Sequence, residues 1–206
     1  RQMCIRDSSG AALWCGAALL AAFAFSTLWR KKDPAQGRVL TLGLFAVLAF
    51  LPSSWAAYTL RVYRDNIFPA LCLYFFAGMA GMALRAVFTP EKPLWPWLAA
   101  AGAGLACGYL DREDAGLFLL PFAAAATVIV AVVLAGKRRW KALAAQVIPY
   151  VMLGVGVLTF CTLNYTHYGV FALSDFSEGS FAAAMGAMMR VDTDSTAPCL
   201  LYTSDA

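Results

Sequence analysis

Apolar residues in this chain come in long blocks that are hydrophobic on every face, unlike the one-sided stripe of a helix at the surface of a soluble protein. Six blocks reach the ~17–25 residues a helix needs to cross a bilayer, at residues 11–29, 39–60, 67–84, 94–110, 115–136 and 142–163. Short polar turns separate them, so the pattern predicts an all-α, polytopic transmembrane helical bundle of about six spans over residues 11–163. The first block is too long for the apolar region of a signal peptide and further spans follow it, so it reads as a membrane helix. Pro121 and Pro149 fall inside blocks and predict kinks. Gly104 and Gly108 form a Gly-x-x-x-Gly pair, and Gly78, Gly81, Gly154 and Gly156 offer further small surfaces for close helix packing.

The two ends read differently. The chain opens on Arg1, and residues 3–8 and 199–206 resemble translated sequencing-adapter ends. Residues 1–10 and 192–206 are therefore set aside as non-native or disordered ends, and the rest reads as an internal fragment of a larger membrane domain.

Composition agrees with the block pattern. Hydrophobic residues make up 61% of the 206 and charged residues only 14%, against about a quarter in soluble domains. The net charge of +4 does not point to nucleic acid, because the basic residues sit in short clusters between apolar blocks. Placing successive turns on alternate sides puts ten of them on one side: Arg30, Lys31, Lys32 and Arg38, then Arg85 and Lys92, then Lys137, Arg138, Arg139 and Lys141. The other side receives Arg61, Arg64, Arg112 and Arg190, beside Asp65, Asp111, Glu113, Asp114, Asp175 and Glu178. The basic side is expected to be cytoplasmic, which places 61–66, 111–114 and the segment 164–191 on the external face. Trp95, Trp97 and Trp140 stand beside basic ends, where indole rings settle among lipid headgroups. Cysteines 4, 15, 72, 107, 161 and 199 are scattered without a metal-ligand or disulfide spacing and read as small apolar filler.

Three polar clusters carry whatever chemistry the chain has. In the first, Arg61 and Arg64 lie three apart, so a continued helix presents both on one face, suited to a phosphate, with Asp65 beside them. The same residues would equally end two helices in the headgroup layer. The second is the turn Asp111-Arg112-Glu113-Asp114, whose acids would suit a divalent cation or supply a general base, or simply form a solvated turn. The third runs through Asn164, Tyr165, His167, Tyr168 and Asp175. Rings beside hydrogen-bonding groups suit a sugar, although an interfacial aromatic belt would also explain the tyrosines.

In these stretches the chain resembles bacterial multi-pass glycosyltransferases of the GT-C class, related to the dolichyl-phosphate-mannose protein mannosyltransferases. The resemblance covers roughly residues 40–191 and rests on 61–69, then 111–122, then 164–171 with 181–191, in that order. It implies transfer of a hexosyl or pentosyl group from a polyprenyl-phosphate sugar to an acceptor, on the external (periplasmic) face of the bacterial inner membrane. Arg61, Arg64 and Arg112 would then hold the donor phosphate, supported by Asp65 and Asp111, while Asn164, Tyr165, His167, Tyr168 and Asp175 line the sugar or acceptor pocket. The carboxylate that activates the acceptor in this class usually lies in a first external loop that no segment here matches. That leaves Glu113 and Asp114 as the candidates within the chain; with Asp65 they would otherwise orient those arginines or bind a divalent cation, the one cofactor the reading offers. A multi-pass transporter or flippase is the rival reading, and would place ionisable residues near the midplane of its helices. A non-catalytic membrane subunit would use all three clusters as headgroup contacts.

Overall fold

A computed structural model describes residues 2–29, 34–50, 67–112, 114–173 and 180–189. Over these residues the chain is all-helical: α1 (Gln2–Trp29), α2 (Pro34–Ala49), α3 (Phe68–Phe88), α4 (Trp95–Asp111), α5 (Ala115–Gly136), α6 (Trp140–Ala145), α7 (Ile148–Tyr168) and α8 (Ser180–Met188). Two units are distinguished, Arg1–Thr159 and Phe160–Ala206.

Among the described residues, four stretches are long and apolar enough to cross a membrane: Gly10–Trp29, Phe68–Phe88, Ala115–Gly136 and Trp140–Tyr168. The expectation of about six spans is therefore met by four. The block at 94–110 forms α4, but its 17 residues rise only ~25 Å against a hydrocarbon core of ~30 Å. The block at 39–60 contributes the 16-residue α2, which begins at Pro34, where a missing N–H costs the helix nothing. Residues 51–60 of that block lie outside the described residues.

In the first unit, α3 is the central helix, packed most extensively against α4 and α1 and also against α5. Its closeness to α4 depends on glycine. A methyl on Gly78 would lie 2.7 Å from Trp97 O and Ala101 N, and one on Gly104 would lie 2.6 Å from Leu71 O and Phe75 N. The two helices thus touch backbone to backbone, as small residues permit in membrane proteins. Gly154, by contrast, has open space around it, and Gly156 is in ordinary contact with Ala106 and Leu110.

α5 shows how an all-apolar helix distributes its residues. Ala115, Leu119, Ala123 and Leu134 are buried along one face, while Leu117, Phe118, Phe122, Val128, Ile129 and Val132 are exposed. Large apolar side chains turned outward are what a lipid solvent favours and water does not. Pro121 sits within the continuous helix. Pro149 interrupts its span, Trp140–Tyr168, as expected, and does so with a break. The chain breaks at Gln146–Val147 and Pro149 becomes the second residue of α7, a position where its ring needs no preceding helical turn. Within the first unit, the start of α7 touches α5 and α4: Tyr150 Oη and Thr127 Oγ1 are 2.6 Å apart, and Met152 lies against Gly102.

The first unit has two distinct ends. At one, the α3–α4 turn (Pro90, Leu94) and the α5–α6 turn (Arg138, Arg139) line a common cavity. At the other, Phe68 at the start of α3 meets Arg112 after α4. Trp97 was expected at a headgroup layer. It is instead 4% exposed, its ring filling the space above Gly81 with the Arg85 guanidinium 5.5 Å from its centroid. Trp95 and Trp140 are exposed.

Candidate functional site

The turn between α4 and α5 is the best-organised polar group of the first unit. α4 ends as Arg112 adopts an extended backbone (φ −131°, ψ 134°), and α5 starts from Asp114. Asp114 occupies the N-cap position without capping the helix through its side chain. Its carboxylate is taken instead by Arg112: Nε donates to Oδ1 and Nη2 to Oδ2, each at 2.7 Å. This is the paired, planar geometry that only arginine offers a carboxylate or a phosphate. The Arg112 guanidinium also stands 5.4 Å from the centroid of the Phe68 ring. The Asp114 carboxylate and the Phe68 ring both hold the cation, the ring reaching it from the start of α3.

Electrostatics assign Asp114 a role. The side-chain hydrogen bonds from Arg112, reinforced by its charge, hold the Asp114 carboxyl below the ordinary aspartate value. A carboxylate stabilised in this way is ionised at neutral pH and suited to orienting Arg112. Asp111, the last residue of α4, is half-buried. Glu113 lies outside the described residues, as do Arg61, Arg64 and Asp65, so of the expected phosphate-binding arginines the structure describes Arg112.

The third cluster belongs to the second unit. Asn164, Tyr165, His167 and Tyr168 were expected to follow the last span, yet they form the final turn of α7, because the helix continues to Tyr168. Gly169, at φ 73°, ends it in the left-handed conformation that glycine adopts without cost. The chain then turns back, and Asn164 Nδ2 donates to Ala172 O at 2.8 Å. Asn164 is thus engaged in holding this return. Tyr165, His167 and Tyr168 are exposed, with the His167 and Tyr168 rings 6.5 Å apart. Asp175 lies outside the described residues.

Among the described residues no three of His, Cys, Asp and Glu gather as a metal site, and Cys15, Cys72, Cys107 and Cys161 are free thiols. Sequence reasoning missed Phe68 as a partner of Arg112, since only packing brings the start of α3 to the end of α4. The break at Gln146–Val147 falls where Pro149 was expected to interrupt the helix, since its ring crowds the carbonyl of Ala145, four residues back. Compared with known proteins, the chain matches no family model, no curated protein and no solved structure.

Proposed function

We propose that this chain is part of a multi-pass bacterial inner-membrane glycosyltransferase of the GT-C class, moving a sugar from a polyprenyl-phosphate donor to an acceptor on the external face. The observation that carries the reading is Arg112, held in a planar two-point pair with Asp114 and stacked near Phe68 at the end of the unit opposite its basic turns. A cation fixed before substrate arrives stabilises the charge that develops on a departing phosphate without reorganising in the reaction. Asp114 serves as the orienting carboxylate, with Asp111 in support. In the second unit, the exposed rings of Tyr165, His167 and Tyr168 offer faces on which a sugar ring packs. The charge bias between turns supports a cytoplasmic basic end, which would put Arg112 on the periplasmic side. Arg85 and Lys141 lie near the ends of their candidate spans, which favours an enzyme working at the interface over an ion-coupled transporter.

The test is sugar transfer in membrane vesicles carrying the protein, supplied with polyprenyl-phosphate sugars. Arg112→Gln is expected to lower transfer about 10²–10³-fold with membrane insertion unchanged. Arg112→Lys should recover little of it, because an ammonium cannot reproduce the paired donors. Undiminished transfer in Arg112→Gln would overturn the assignment, and solute uptake without transfer would identify a transporter.

A further inference from the structure

The basic end of the first unit holds a cavity of about 420 Å³ between the α3–α4 and α5–α6 turns. Its floor is apolar, from Ala86, Leu94 and Ala142, and its rim carries Arg138, Arg139 and Lys141 around Trp140. That volume falls within the ~300–1,000 Å³ of small-ligand clefts. Glu91 is the sole carboxylate in these two turns and does not line the cavity.

Cations at a helix C-terminus commonly do no more than oppose the helix dipole, and Lys137 and Arg138 are placed for that. Two observations exceed it. Arg139 and Lys141 stand beyond the last turn of α5, yet both line the cavity. The turn itself is a Schellman closure, with Arg139 N donating to Leu134 O and Arg138 N to Ala135 O, both at 2.9 Å. Its left-handed residue is Arg138, at φ 53°, where glycine is the usual occupant, while Gly136 stands two residues too early to serve. Non-glycine residues persist in that conformation where the surroundings demand it, often at ligand clamps. Here it keeps a third cation on the rim, beside Arg139 and Lys141.

We infer that this cavity binds the headgroup of an anionic phospholipid, with Arg139 and Lys141 on the phosphate, Arg138 completing the rim, and the exposed Trp140 ring at the level of the lipid glycerol. Basic pockets between membrane helices take such headgroups, and indole rings settle at that depth. The cavity lies among turns of a bundle whose α5 exposes large apolar side chains, so acyl chains have apolar surface to follow. The inference rests on the membrane reading and is independent of sugar transfer.

The test is native mass spectrometry of the purified full chain with added phosphatidylglycerol or phosphatidylcholine. Phosphatidylglycerol should be retained about tenfold more strongly, and Arg139→Gln with Lys141→Gln should abolish that preference. Arg38→Gln with Lys137→Gln removes the same charge outside the cavity and should leave the preference intact. Equal loss in both pairs would reduce the effect to net charge and overturn the site. Displacement of the lipid by low-millimolar inorganic phosphate would also overturn it, by showing that the rim takes the free anion. Unchanged retention in the cavity pair, with helical content preserved by circular dichroism, would do the same.

Discussion

Arg112 and Asp114 show how two exposed side chains become a defined unit. Each alone is a flexible surface group, and a solvent-exposed ion pair contributes little to stability. What distinguishes this pair is its geometry and the Phe68 ring near the guanidinium. Because Arg112 lowers the folded-state value of Asp114, the pair's contribution is present above the unfolded aspartate range and is lost as pH falls through the depressed folded value. Thermal melts in detergent should therefore separate the protein from Asp114→Asn slightly at pH 7, with the gap closing in strong acid. A gap that widens on acidification would contradict the ionised pair. The local half of this arrangement was legible in the sequence, since Arg112 and Asp114 are two residues apart in a turn too short to part them. Phe68 was not, because the contact exists only once α3 and α4 pack side by side.

At the scale of the helix, the apolar blocks located the elements well, and their ends were decided by chemistry that blocks do not record. α7 outruns its block by a turn through Asn164, Tyr165 and His167, polar residues that a helix accommodates at an interface, and it stops where Gly169 allows a positive φ. Which glycines matter was also hidden. Gly104 and Gly154 look alike in sequence, but the rotation of α4 about its axis sends Gly104 into α3, while Gly154 meets nothing. Alanine at Gly104 or Gly78 would drive a methyl against the backbone of the partner helix, and forced overpacking of this kind costs about 1–3 kcal/mol. Gly154→Ala should be neutral or slightly stabilising, since alanine is the better helix former by about 1 kcal/mol. Unfolding titrations in mixed micelles would rank the three. Equal effects at Gly104 and Gly154 would deny the α3–α4 contact.

For the whole molecule the question is whether α4 crosses. By length it falls short, its 17 residues spanning ~25 Å. By position it does not: α3 runs from Phe68 to Phe88, α4 returns from Trp95 to Asp111, and Arg112 finishes beside Phe68. α4 therefore traverses the same thickness as α3, which is long enough to span. Its lack of length matters less because Trp97, Leu98, Ala101, Leu105 and Ala106 are buried in protein, and a helix enclosed by its neighbours need not match the lipid. Lys92 and Asp114 flank α4 and report on it directly. In a background with the six native cysteines replaced, a membrane-impermeant maleimide applied to whole cells should label Asp114→Cys. Lys92→Cys and Lys137→Cys should react only after permeabilisation under the proposed orientation, which the charge bias supports. If Lys92→Cys and Asp114→Cys react from the same side, α4 is re-entrant. If all three reactivities are exchanged, the bundle crosses as described but is inverted, and Arg112 could not meet a donor on the periplasmic face.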